Sequence, residues 1–345
     1  MKRNLIRSFL PASMLSLFIC ANVALSGGLE EKVVIYSTHG EDMLEVVADE
    51  FTKETGVKVD FLNLKGELAD RVRAEKANPQ SDIMYGAPSS VFIELKNEGL
   101  FAAGMPTWAA SLDPIFKDAE GYWYGTIQTP VVMFYNADVI AKDKAPKDWS
   151  DLARPEYRGQ LVFRNALSSS ARATYTAILQ QYEKRNDMDK GWALLKGIDA
   201  NTKQYFSSGS LLFQAIGRKE ASISFSVISD VIDNRINNKM PLEIVNAASG
   251  SPIITDGIAM INGAKHPNAA KAFLEFAGGE KIQTLLAEKF NRMPTLPAAL
   301  AKAPQWMAEI TVQPMDVDWG TLAGKQSEWM QKWDTGIKDS SKDKK

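Results

Sequence analysis

The chain has one cysteine, Cys20, and two histidines, His39 and His266, in 345 residues. A lone thiol forms no internal disulfide, and neither a cysteine cluster nor an HExxH run is present to hold zinc. No G-x-x-x-x-G-K-[ST] run occurs to cradle nucleotide phosphates, and no G-x-S-x-G elbow to expose a serine nucleophile. Charge of one sign is also missing. Forty basic residues face 42 acidic ones, and no basic run breaks the balance, which excludes the usual footprint of a nucleic-acid binder. Long apolar runs are absent as well. The one apolar stretch of note, residues 15–21, is too short to span a bilayer.

That stretch reads instead as the core of an export signal. Lys2, Arg3 and Arg7 precede it, and Ala24-Leu25-Ser26 fits a small-residue cleavage site, giving a signal peptide over 1–26. Phe18-Ile19 before Cys20 is a poor lipoprotein signature. Cleavage would remove three positive charges and Cys20, taking the net charge from −2 to about −5. The mature chain is then a soluble periplasmic protein with no thiol, stabilised by packing alone.

Beyond the signal, short β-branched runs alternate with helical periods. Residues 33–36, 57–62 and 83–85 are strand-like, and 43–52 and 67–77 are helical, with Thr55-Gly56 as a helix stop. Further strands are predicted at 123–126 and 131–135, around Thr129-Pro130. A second α/β series runs from Trp149 to about Asp256, including a short helix at 192–196; helices follow at 269–277 and 281–290, and an amphipathic one at 322–333. No flexible linker separates the two series. The expected organisation is lobe 1 over 27–130, lobe 2 over 131–256, a return to lobe 1 over 257–337 with the C-terminal helix, and a disordered charged tail over 338–345. Two strand crossings, near 128–133 and 251–257, join the lobes.

Serine-rich segments recur where strands hand over to helices: Ser37-Thr38, Ser89-Ser90, Ser168-Ser169-Ser170 and Ser207-Ser208-Gly209-Ser210. A helix start presents unpaired N–H groups, and hydroxyls beside it complete an anion site. A single such junction is an ordinary cap. Several converging on one cleft make a socket. Arg164, at a strand end, supplies a guanidinium, and Ser226 and Asp256 meet the other end of a ligand, although Asp256 serves equally well as a cap on the crossing strand. His39 lies in a loop beside Glu41 and Asp42, His266 in a turn before a helix. Tyr122-Trp123-Tyr124 is a strand segment with core packing as its first reading, and Trp108, Trp149 and Trp192 read as packing residues.

The chain resembles the periplasmic solute-binding proteins of ABC importers, in the branch with ferric-iron, thiamine, phosphonate and sugar-phosphate binders. The likeness spans the mature chain. It is carried by Val33-Val34-Ile35-Tyr36-Ser37, by Asn78-Pro79-Gln80-Ser81-Asp82-Ile83-Met84-Tyr85-Gly86, by residues 125–136, by Trp149-Ser150-Asp151-Leu152 with Pro155-Glu156-Tyr157-Arg158-Gly159, and by residues 266–276. It implies the type II periplasmic binding fold: α/β, two doubly wound lobes, two strand crossovers. It further implies two lobes that close over one solute and a loaded protein that docks on permease subunits in the membrane; the two α/β series without a flexible linker add the expectation of a monomer, and the missing motifs that of a protein without cofactor or catalysis.

The resemblance also bears on the ligand. Iron binders of this branch use adjacent tyrosines and a glutamate, and the matching positions here are Val227, Ile228 and Ala87. The serines that match their phosphate-holding helix start are kept. The expected ligand is therefore a small organic anion, a phosphorylated sugar or a phosphonate. The expected site is Ser37, Thr38, His39, Ser89, Thr129, Arg164, Ser168, Ser169, Ser170, Ser208, Ser210, Ser226 and Asp256, with no metal ligand. A ferric-iron or thiamine-type receptor is the alternative; an exported enzyme is a weaker one.

Overall fold

A computed structural model of the protein describes residues 28–64, 67–166, 168–310 and 312–344. The expected signal peptide and Cys20 lie outside the described residues. No helix among the described residues is long and apolar enough to cross a membrane.

The chain opens with β1 (Lys32–Ser37), α1 (Glu41–Thr55), β2 (Lys58–Asn63), α2 (Leu68–Ala74), β3 (Ile83–Pro88), α3 (Ser89–Asn97) and β4 (Phe101–Ala102). The long β5 (Tyr124–Asn136) leads to β6 (Leu161–Arg164), α4 (Ser169–Glu183), α5 (Met188–Asn201), β7 (Thr202–Phe206), α6 (Gly209–Gly217), β8 (Ile223–Val227), α7 (Ile228–Ile236) and β9 (Leu242–Val245). Next come β10 (Ile253–Ile261), α8 (Pro267–Ala277), α9 (Glu280–Phe290), β11 (Met293–Pro294), α10 (Pro297–Leu300), α11 (Gln305–Glu309), α12 (Trp319–Gly336) and β12 (Asp343–Lys344).

Local sequence explains these elements. On α1, Met43, Leu44, Val47, Ala48 and Phe51 recur at helical spacing and form its buried face, and Gly56 ends it at φ 75°, its N–H bonded to the Thr52 carbonyl. On β1, Val33 and Ile35 are buried between the sheet's helices, and the strand runs parallel to both β2 and β3.

The two lobes share β5. Its first half pairs with β10 in the first sheet, down to Pro130 opposite Ile253; from Val131 onward it pairs with β8 and β9 in the second. Two strands were expected here and one is formed. Pro130 breaks nothing, because it sits where β5 leaves one sheet for the other, and the next residue, Val131, donates to the Pro252 carbonyl at 2.8 Å. The helix expected at 192–196 is longer, since Leu195 and Ile198 extend the same buried face of α5. The architecture is the two-lobed α/β plan with two strand crossings.

Two expectations about the C-terminal region are corrected. Residues 257–337 do not all return to lobe 1. The stripe of α12, Leu322, Trp329, Met330 and Trp333, is buried in the core of lobe 2 beside Trp149 and Tyr175, with Tyr175 and Trp333 centroids 4.8 Å apart. The start of α12 reaches α3 of lobe 1, so this helix touches both lobes. Residues 338–344 are not a loose tail. Lys338 pairs with Asp334 and Asp343, Lys342 with the buried Asp199 at 3.2 Å, and β12 covers the edge of β7. Among the described residues of this segment, Lys338, Lys342 and Asp343, whose charges read as a disorder signal, are ion-paired.

Trp123 and Tyr124 are core residues, with the Tyr124 hydroxyl bonded to the Gly104 carbonyl. His266 pairs with the buried Asp82 at 2.8 Å, where it holds the start of α8.

Candidate ligand-binding cleft

Between the lobes, at the strand crossings, lies a cavity of about 520 Å³. Thr38, after β1, and Ala87 and Pro88, at the end of β3, line it from lobe 1. Ser169 of α4 and Val227, Ser229 and Asp230 at the β8–α7 junction line it from lobe 2. Thr129, Ile254 and Asp256 line it from the crossing strands, and Arg292 from the turn after α9. A cleft at the carboxyl ends of parallel strands is where open α/β sheets bind ligands.

Helix starts gather here. The N-cap positions of α3, α4 and α7 are Pro88, Ser168 and Val227, and none makes a side-chain cap hydrogen bond. Their first-turn N–H groups are therefore not answered by a capping side chain. That is the condition under which a helix start receives an anion. The contrast is α6, where the Ser208 hydroxyl accepts from the Leu211 N–H at 3.2 Å.

Buried polar atoms without partners mark the same place. His39 Nε2, Tyr85 Oη and Arg292 Nε are each buried and unbonded. The His39 and Tyr85 rings meet edge-on with centroids 4.7 Å apart. Burial, with Arg292 nearby, lowers the His39 pKa to about 3, so the imidazole is neutral. Burial also pushes the Tyr85 hydroxyl up. Gly86 permits this packing. Its φ is 92°, and a Cβ there would lie 2.8 Å from Thr38 Oγ1 and 3.0 Å from His39 Nε2.

Two carboxylates complete the lining. Asp256 sits at a β-bulge, where the pairing of β10 slips against both β5 and β3 and turns the side chain toward the cleft. Burial raises its pKa to about 6, against the opposing pull of Arg292. The Asp230 pKa is raised too, by burial first, while Ser226, Arg292 and Arg164 oppose the shift.

The expected site residues divide into four groups. Thr38, Thr129, Ser169 and Asp256 line the cleft. Ser37, His39 and Ser226 act behind it: the Ser37 hydroxyl accepts from the His39 N–H at 3.0 Å, and the Ser226 hydroxyl lies 3.4 Å from Asp230 Oδ2. Ser89 lines a small adjoining cavity with Ser169, and Ser168 and Ser170 bond to each other at 2.9 Å. Arg164, Ser208 and Ser210 are not brought to the cleft. Ser208 is a cap. Arg164 donates to the Ser207 carbonyl at 2.9 Å, and with Ser210 it lines a larger hollow, about 880 Å³, on lobe 2 alone. The hollow meets the cleft only at Asp230. The cleft is the candidate site, because both lobes, three helix starts and Arg292 meet there.

Sequence reasoning missed Arg292, Asp230 and Ser229. Asp230 carried a usable signal, standing in the first turn of a helix right after a buried strand. Arg292 carried none.

The positions of the expected iron ligands are apolar in space as well. Val227 and Ala87 line the cleft and Ile228 is buried. Among the described residues no three His, Cys, Asp or Glu side chains gather to hold a metal.

Comparison with known proteins agrees with this architecture. A probable ABC transporter periplasmic-binding protein of Sinorhizobium fredii is 31% identical over 90% of this chain and 87% of its own length. A putative 2-aminoethylphosphonate-binding periplasmic protein of Salmonella paratyphi A is 24% identical over 93% of this chain and 92% of its own. Among solved structures, apo ferric ion-binding protein A of Pasteurella haemolytica aligns with a TM-score of 0.78 at 21% identity, over 90% of this chain and all of that one. AfuA of Actinobacillus pleuropneumoniae, with fructose-6-phosphate bound, gives 0.70 at 23% identity, over 89% of this chain and 99% of that one. The family model for bacterial extracellular solute-binding proteins matches residues 78–319. The chain therefore belongs to the bacterial extracellular solute-binding proteins and is a binding component of the ABC-importer type.

Proposed function

We propose that this protein captures a small organic anion with a phosphate- or phosphonate-like head, closes its lobes over it, and delivers it to a permease in the membrane. The observation that carries this reading is the convergence of three helix starts without side-chain caps, those of α3, α4 and α7, with Arg292, on one cleft between the lobes. Backbone N–H groups and one guanidinium are what a tetrahedral oxyanion asks for. Charge-assisted hydrogen bonds contribute roughly 1.5–3 kcal/mol each. Four or five of them, less the cost of ordering, give about −8 kcal/mol, a micromolar affinity.

Ferric iron fits less well. A hard cation wants several oxygen ligands, and Val227, Ile228 and Ala87 offer none. Fructose-6-phosphate in AfuA and the phosphonate named for the Salmonella relative are ligands of the proposed kind. The place of work is the periplasm, reached through the N-terminal signal, and the working form is a monomer.

Calorimetric titration with paired phosphorylated and dephosphorylated compounds tests the reading. Only the phosphorylated or phosphonate members should bind. Equal binding of the dephosphorylated partners, or a tyrosinate-like colour and tight binding with ferric citrate alone, overturns it.

A further inference from the structure

Beside the cleft, sharing Ser169 with it, lies a second cavity of about 60 Å³. Ser89 and Ser90, at the start of α3, line it from lobe 1. Ser169 and Arg172, in the first turn of α4, line it from lobe 2, together with Trp319 of α12. Its electrostatics are one-sided. No carboxylate lines it. Neither α3 nor α4 carries an acid in its first turn, whereas α1 has Glu41 and Asp42 there. On α4 a cation, Arg172, stands where the helix dipole disfavours positive charge. Among the described residues its guanidinium has no hydrogen bond or ion pair. Asp334 and Asp343 share a neighbouring hollow with it, but both are taken by Lys338, at 2.6 and 2.7 Å. Ser89 is only 4% exposed, and its hydroxyl has no partner either. Two helix starts from opposite lobes, a free guanidinium and a buried free hydroxyl thus surround one space that holds no negative side chain. Positive ends brought together in this way repel unless an anion lies between them.

We infer that this cavity is a site for a small inorganic anion of about chloride size, held by Arg172, the Ser89 hydroxyl and the N–H groups of the two helix starts, and tying lobe 1 to lobe 2 beside the strand crossings. About 60 Å³ leaves room for a halide and a water or two. The site is separate from the place proposed for the solute. Neither Arg292 nor Asp256 lines it, and it stands whatever solute the cleft takes. An anion bound there stabilises the arrangement in which α3 and α4 meet, because it binds the folded chain and not the unfolded one.

The test is thermal melting at fixed ionic strength without organic solute, with sodium gluconate, whose anion is too large for the cavity, replaced stepwise by sodium chloride. The melting temperature of the parent should rise by roughly 2 °C or more and level off. The rise should vanish in Arg172→Gln and shrink in Ser89→Ala, and it should persist in Arg292→Gln, whose cation lines the cleft instead. Circular dichroism shows which variants are folded, and either Arg172→Gln or Ser89→Ala suffices. No chloride-specific rise in the parent overturns the inference. So does an undiminished rise in a folded Arg172 or Ser89 variant, and so does a rise that only Arg292→Gln abolishes, which would put the anion in the cleft. None of these results touches the reading of the solute, which is tested by the paired titrations.

Discussion

The His39 and Tyr85 rings pack edge-on at 4.7 Å, and His39 Nε2 and Tyr85 Oη both remain without a partner in the buried floor of the cleft. Leaving such groups unanswered costs about 1–3 kcal/mol each. A fold tolerates that at a place where a ligand or water supplies the missing bonds.

His39 gives a pH signature. Its pKa is about 3 when folded, and the ordinary value is 6.5. Below pH 6.5 the unfolded chain takes up a proton that the folded one refuses, so this stability is present above 6.5 and lost as pH falls. The loss by pH 5 is roughly 2 kcal/mol. Asp256, raised to about 6, works in the opposite direction and masks the effect in the parent protein. The advantage of the parent over His39→Gln should therefore shrink by about 2 kcal/mol between pH 7 and pH 5, measured by urea unfolding. An advantage that does not change with pH contradicts the buried neutral imidazole.

Gly86→Ala should harm both folding and binding. The added methyl meets Thr38 and His39 in a backbone region that disfavours alanine, at roughly 1–3 kcal/mol. Gly56→Ala is the control, because its φ is also positive but the space beside it is open. Only the Gly86 variant should lose affinity in titration.

Ser169 and Ser208 look alike in sequence and should behave differently. Ser169→Ala removes a hydroxyl at the cleft and should weaken binding by roughly 1–3 kcal/mol. Ser208→Ala removes a helix cap, which should lower stability by about 1 kcal/mol and leave affinity alone. Calorimetry and melting on both variants separate the two roles.

Much of this site is legible in the amino-acid sequence. Strand–serine–helix junctions are local signals, and those at Thr38 and Ser169 lead to the cleft. A local signal does not say whether a hydroxyl serves its own helix or faces outward. The Ser208 hydroxyl accepts from the Leu211 N–H, and the residue does not line the cleft. Arg292 is invisible in the sequence for another reason. It follows the left-handed turn at Asn291, after α9, and reaches the cleft only because lobe 1 folds back beside the crossings. The fold itself is easier to read, because alternating apolar runs report burial directly. The C-terminal helix misleads because its tryptophan stripe says that it docks, and not on which lobe.

Arg292→Gln should weaken binding of the phosphorylated compounds by roughly 1.5–3 kcal/mol, about ten- to a hundredfold. It should also move two titrations in the ligand-free protein. Arg292 lowers the pKa of both His39 and Asp256, so its removal should raise both. Nuclear magnetic resonance titration of the Asp256 carboxyl should show a value above the present one of about 6. A downward or absent shift contradicts the placement of the guanidinium.

The central claim is that an anionic solute is enclosed between the two lobes. Solution X-ray scattering tests it most directly, with the protein alone and saturated by the tightest-binding phosphorylated compound of the titration panel. The account predicts a smaller radius of gyration on saturation, with a smaller change for Arg292→Gln at the same concentration. An unchanged profile for the saturated parent protein would contradict it.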